Sequence, residues 1–140
     1  MTSITFVVPG VPVAQPRQRH AVIAGHLRNY TPSRHPVNTF KAACQLSARQ
    51  AYSGPPLTGP LVCELVFVLP RPRSAPKRTG GRLAHCKRPD AENLAKSVLD
   101  ALTGLLYDDD RQIWRLVVTK WVAAVDEQPQ VEIHVREVEE

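Results

Sequence analysis

Carboxylates are almost missing from the first 89 residues, where Glu64 stands alone against thirteen lysines and arginines. From Asp90 onward the balance inverts, with twelve acids and five basic side chains. A net charge of +5 hides this split. Charge placed only for solubility would mix both signs, so a long stretch of one sign points to a polyanionic partner, with the acidic part reserved for another task. Long apolar runs are missing too. The strongest, residues 61–69, is interrupted by Glu64 and is far short of the ~20 residues that cross a bilayer as a helix. The first residues carry neither a basic n-region nor a small-residue cleavage pattern, so the expected location is the cytoplasm. The three cysteines form no CxxC pair and are odd in number, which argues against a zinc knuckle or a disulfide framework. Cys44 and Cys63 lie in apolar periodic segments and are expected to be buried, reduced side chains. The five histidines lack metal-ligand spacing, and His134 alternates with Ile133 and Val135 on the expected outer face of the last strand. No repeat, heptad or low-complexity tract is present.

At 140 residues the chain is expected to form a single domain spanning residues 1–140. Twelve of its thirteen prolines precede residue 90, which predicts long irregular connections in the basic part, at about residues 12–36 and 70–89. Residues 4–8 read as a strand closed by Pro9-Gly10-Val11-Pro12. Asn38 is a candidate cap for a helix that places Phe40, Ala43, Cys44, Ser47, Ala48 and Ala51 on one face before Gly54-Pro55-Pro56. Residues 61–69 read as a buried strand. Leu94, Val98, Ala101, Leu102 and Leu105 recur at helical spacing and predict a second helix from about Asp90 to Leu106. Residues 113–124 and 130–138 read as strands joined by a short polar hairpin connection. The predicted order is β-α-β-α-β-β, a small mixed sheet with two helices in the α/β (α+β) class.

Chemistry concentrates where the charge inverts. Asp90 and Glu92 stand at the expected junction into the second helix, and Asp110 ends the run Asp108-Asp109-Asp110 behind it. Mg²⁺ takes hard oxygen ligands and keeps several waters, so converging carboxylates from these three residues would be a sufficient protein contribution. An extended chain across residues 90–92 would point the first two to one side. A cation held there would activate water and polarise a phosphodiester, and Lys96, one helical turn beyond Glu92, would neutralise charge developing on the phosphorane-like transition state. Each residue has a plainer use. Asp90 could only cap the helix, Glu92 could only complement its dipole or pair with Lys96, and the aspartate run could be an acidic turn in water. Trp114 and Trp121 are read as core or dimer-contact aromatics rather than stacking platforms. The candidate phosphate contacts are Arg17, Arg19, Arg71, Arg73, Lys87 and Arg88, which would supply affinity without reading sequence.

The stretch from Pro89-Asp90-Ala91-Glu92-Asn93-Leu94-Ala95-Lys96 through Asp100-Ala101-Leu102, followed by Asp109-Asp110-Arg111-Gln112-Ile113, resembles the RusA-type Holliday-junction resolvases. That family shows a D-x-D-N-x-x-K helix start, a D-A-L segment and a D-D-x-Q turn entering a strand. The resemblance covers roughly residues 61–118, and Gln15-Pro16-Arg17-Gln18-Arg19 with Tyr30-Thr31-Pro32 resembles the weaker basic pattern near the start of many members. It implies a small homodimer of mixed α/β fold that uses Mg²⁺, with Mn²⁺ as a substitute, to nick opposing strands of four-way or branched DNA in recombination, repair or phage DNA processing. It further implies that Asp90, Glu92 and Asp110 bind the metal and that Lys96 is the essential lysine, with Asp109 as fallback for Asp110. The departure is Glu92, where the family usually has Asp. The extra methylene moves the carboxylate by about an ångström, and errors of that size cost on the order of 10²-fold in rate. Weak activity or a preference shifted towards manganese follows from it. Two other classes compete. One is a noncatalytic branched-DNA-binding protein with a degenerate metal site. The other is an RNA-binding module, which leaves the acids unexplained and lacks an RNP-like aromatic pattern.

Overall fold

The most apolar run of the sequence takes the most enclosed place. The computed structural model describes residues 1–16, 19–23, 25–30 and 34–138, with 19–23 and 26–30 as backbone only. Leu61–Leu69 forms β4, the middle strand of a five-stranded mixed sheet. Across that sheet the order is β1 (Ser3–Pro9), β7 (Gln130–Glu137), β4, β6 (Ile113–Val122) and the short β5 (Leu83–Ala84). β7 runs antiparallel to both β1 and β4, whereas β6 runs parallel to β4. A parallel pair cannot be joined by a tight turn. The crossover between β4 and β6 contains α2 (Ala91–Leu102), which packs beside α1 (Pro36–Ala51). The result is an α+β domain with two helices, as the sequence pattern predicts.

The core forms between the helices and one sheet face. Leu61, Cys63, Leu65, Phe67 and Leu69 of β4 alternate into it and meet Phe40, Cys44 and Ala48 of α1 and Leu94, Val98 and Leu102 of α2. Burial pushes the Cys44 and Cys63 thiols up to about 12, so both are inert packing groups at neutral pH. Phe67 is fully buried at the centre of this layer. Phe67→Ala is expected to destabilise the fold by about 3–5 kcal/mol, measured by urea denaturation with the slope unchanged.

Four local expectations are revised. The cap of α1 is His35, whose Nδ1 accepts from the Val37 N–H at 3.1 Å, not Asn38; Pro36 opens the helix because the first turn needs no N–H there. The second helix stops at Leu102 rather than near Leu106. Gly104 takes a positive φ of 86°, which turns the chain and lets Leu106 and Tyr107 pack inward as separate anchors. The strands at residues 113–122 and 130–137 are not a hairpin pair, because β4 lies between them. The strand buried on both flanks must be the most apolar, and β4 outcompetes β6 for that place. Finally, part of the connection at residues 12–36 is ordered as an antiparallel pair, β2 (Arg19–Ile23) and β3 (His26–Tyr30), turning at Gly25 with φ 78°.

Candidate active site

Helix α2 begins at Ala91, too early for Asp90 and Glu92 to share an extended segment. Asp90 is its N-cap residue, still extended at φ −69° and ψ 144°, while Glu92 already belongs to the first helical turn. The two carboxylates therefore diverge. Asp90 lines a cavity of about 830 Å³ with Ala14, Arg88, Pro89 and Asn93. Glu92 lines a neighbouring cavity of about 400 Å³ with Lys96, Asp110, Ala95, Leu99, Leu116 and Val118. Asp90 makes no side-chain capping hydrogen bond, so the plainer use as a helix cap is not the one adopted. No ion pair joins Glu92 to Lys96; the pair made by the outer face of α2 is Asp100 with Lys41 of α1, at 3.8 Å.

The turn after α2 explains which of its aspartates is presented. Asp109 caps the short 3₁₀ turn Asp110–Gln112, accepting from the Arg111 N–H at 2.9 Å. That hydrogen bond, reinforced by the Arg111 side chain at 3.2 Å, holds Asp109 below the usual carboxylate range. Gln112 locks the other side. Its amide oxygen accepts from the Asp108 and Asp109 N–H groups at 2.9 and 3.1 Å, and its amide nitrogen donates to the Leu57 and Gly59 carbonyls at 2.9 and 3.1 Å. Asp109 and Gln112 thus build the turn, and Asp110 is the member whose residue faces the cavity of Glu92 and Lys96. Two carboxylates and an ammonium, two of the three from α2 and one from the turn behind it, line that cavity. The first acid of the D-x-D-N-x-x-K pattern, Asp90, is not among the residues lining this cavity.

Residues 9–136 match the family model described as Endodeoxyribonuclease RusA. The chain belongs to the RusA family. It is also 35% identical to the Uncharacterized protein YqaN of Bacillus subtilis (strain 168), over 147 aligned residues that cover 99% of each chain. The RusA family is a family of endodeoxyribonucleases, hydrolases of the DNA backbone.

A metal in this RusA chain would meet only hard oxygen donors. Among the described residues no group of three His, Cys, Asp or Glu side chains stands close enough to hold an ion together. The expected three-carboxylate convergence is therefore not assembled; Glu92 and Asp110 share a cavity and Asp90 stands in the next one. Two carboxylates nonetheless suit Mg²⁺, which is commonly held by one or two of them while retaining water and taking phosphate oxygens from the substrate. The donor chemistry fits.

The basic residues divide by what they touch. Arg71 donates to the carbonyls of Gly81 at 3.0 Å, Ala123 at 3.1 Å, Thr79 at 3.0 Å and Pro76. Its guanidinium is used to hold the loop of residues 70–82 in shape. Arg82 fastens the far end, with Nη2 at 2.6 Å from Glu127 and Nη1 at 3.7 Å from Glu132. Arg73, Lys87 and Arg88 are exposed and form no ion pair among the described residues. Arg88 also lines the Asp90 cavity. Arg17 and the side chain of Arg19 lie outside the described residues. The segment before them is docked on α2, where the Gln15 N–H donates to Asn93 at 2.9 Å and the buried Ser97 hydroxyl donates to Val13 at 2.8 Å.

One residue escaped the sequence pattern. Lys120 of β6 donates its ammonium to the carbonyls of Lys87 and Pro89, both at 2.8 Å, and its own carbonyl accepts from the His85 N–H at 3.1 Å. Nothing in the spacing of residues 87–89 and 120 signals this link, because it depends on how β6 sits beside β4.

Proposed function

We propose that this RusA-family chain is a divalent-metal-dependent, structure-selective endodeoxyribonuclease that resolves Holliday junctions, acting in the cytoplasm as a homodimer. The observation that carries this reading is the meeting of Glu92, Lys96 and Asp110 around one cavity, with Asp90 beside it. Mg²⁺ is the expected metal, with Mn²⁺ as a substitute, and bound there it would polarise a phosphodiester and supply an activated water. Glu92 and Asp110 would hold the cation, with Asp90 as the third carboxylate of the set. Lys96 supplies positive charge where negative charge accumulates on the phosphoryl oxygens. The exposed Arg73, Lys87 and Arg88 orient the DNA backbone towards this cavity, and Arg17 and Arg19 extend the same field; Arg71 acts through the loop it holds.

Two features support a dimer. The outer edge of β6 is covered by β5 only at Trp121 and Val122, leaving the strand's first residues unpaired on that side among those described. Trp114 is 69% exposed and Leu116 43% exposed on that strand, apolar surface of a kind that marks association sites. A dimer supplies two active sites for paired nicks.

Competition binding in EDTA tests the substrate class without cleavage. A four-way junction should be held at least tenfold more tightly than linear duplex or RNA. Arg73, Lys87 and Arg88 alone imply about six phosphate contacts per dimer, and hence a slope of about −5 or steeper in a plot of log affinity against log salt. Equal affinity for linear duplex would contradict the junction assignment. The spread of the acids over two cavities, with Glu92 in place of Asp, favours one second reading: a branched-DNA-binding protein without cleavage, for which junction binding persists and no metal yields nicks.

A further inference from the structure

Lys120 is a cation without an anion. It forms no ion pair among the described residues, and two of its three N–H groups go to backbone carbonyls of the segment that enters α2. Its place on the sheet explains the reach. In the parallel register Leu116, Val118 and Lys120 of β6 lie opposite Cys63, Leu65 and Phe67 of β4, the β4 residues that face the helices. Leu116 and Val118 form part of the wall of the Glu92 and Asp110 cavity. Lys120 is the next residue on the same face, and it grips the carbonyl of Pro89, the peptide group directly attached to Asp90. With the backbone bond from His85, β6 fixes the 85–89 segment at three points, two of which depend on the ammonium.

We propose that Lys120 is a positioning residue that sets the place of the Asp90 carboxylate relative to Glu92 and Asp110. This rests on the reading of those acids as the metal-binding set. Asp90 is extended and uncapped, so its position follows the backbone before it rather than a side-chain bond within the helix. That backbone belongs to an exposed basic connection which repels itself: Lys87 and Arg88 are adjacent, and residues 70–89 carry no acid. An ammonium that binds the Lys87 and Pro89 carbonyls holds this connection against the sheet despite the like charges. Residues that orient a metal ligand without touching the metal commonly change metal affinity or activity by about 10–100-fold when replaced.

The test is a double-mutant cycle of Lys120→Met with Asp90→Asn, read as Mn²⁺ affinity by electron paramagnetic resonance. Lys120→Met alone should weaken Mn²⁺ binding by about 10–100-fold, and by less than about twofold when Asp90 is already Asn, because coupled residues do not add. Junction affinity in EDTA should stay within about threefold, since the exposed phosphate contacts remain. If Lys120→Met does not fold, Lys120→Gln replaces it in the same cycle; its shorter amide loses the charge and the full reach, and the same coupling is expected at threefold or more. Additive effects, an unchanged Mn²⁺ affinity in the Lys120 variant, or no effect of Asp90→Asn would each overturn the proposal. Cleavage by the native protein is scored separately, so its absence would count against the proposed activity while the cycle still decides the role of Lys120.

Discussion

Asp110→Asn should lower junction cleavage by about 10³-fold or more, a rise of about 4 kcal/mol in the barrier, while junction binding in EDTA stays within about twofold. Asp110 differs from Asp109 in that its carboxylate does not cap the turn. The 3₁₀ turn stands on the Asp109 cap and the four hydrogen bonds of Gln112, and Asp110 is exposed at the cavity edge. Replacing its carboxylate by an amide of the same shape therefore leaves the turn standing and removes one anionic oxygen from a site whose described donors are few. Asp109→Ala gives the opposite signature. It removes a cap worth about 0.5–2 kcal/mol, so the melting temperature should fall, with a smaller loss of rate. Single-turnover cleavage and thermal melting of both variants, measured side by side, check the assignment. Interchanged signatures would make Asp109 the site residue.

Lys96→Met should reduce the cleavage rate by about 10²–10³-fold, the scale seen when one group that stabilises transition-state charge is removed. Metal binding should hold or tighten, because the substitution removes a cation from the cavity shared with Glu92 and Asp110. The side chain is exposed and forms no ion pair among the described residues, so stability should change by no more than about 0.5 kcal/mol. A variant with the native rate would return Lys96 to the role of an ordinary surface cation. A variant with weakened Mn²⁺ binding would instead make it part of the scaffold for Glu92.

What the sequence makes readable follows from the range over which each signal acts. The spacing of Leu94, Val98, Ala101 and Leu102 identifies α2 and its buried side because it is a pattern within one helix, and all four are buried. The same spacing continues to Leu105 and overshoots, since the stop comes from the positive φ of Gly104 rather than from hydrophobicity. The connection at residues 123–129 has the length and polarity of a hairpin, yet β6 and β7 flank β4. Strand order depends on which run is most apolar across the whole chain, and local pattern does not contain it. The site divides in the same way. Glu92 and Lys96 share a cavity because they are four residues apart on one helix, and Asp110 joins them by the return of the chain after α2. Asp90 falls beside them because a helix boundary one residue earlier or later changes where its carboxylate points. The roles of Arg71 and Lys120 rest on bonds to backbone carbonyls, which carry no side-chain signature in the partner segment.

Metal-dependent hydrolysis of branched DNA is tested most directly by cleavage of a labelled four-way junction by the native protein, against linear duplex of the same sequence, in Mg²⁺, Mn²⁺ and EDTA. The expected result is paired nicks at symmetric positions near the branch point, in either metal and not in EDTA, with the linear duplex left whole. A junction that is bound and remains intact in both metals would contradict it, and would make this RusA-family chain a protein that recognises branched DNA without cutting it.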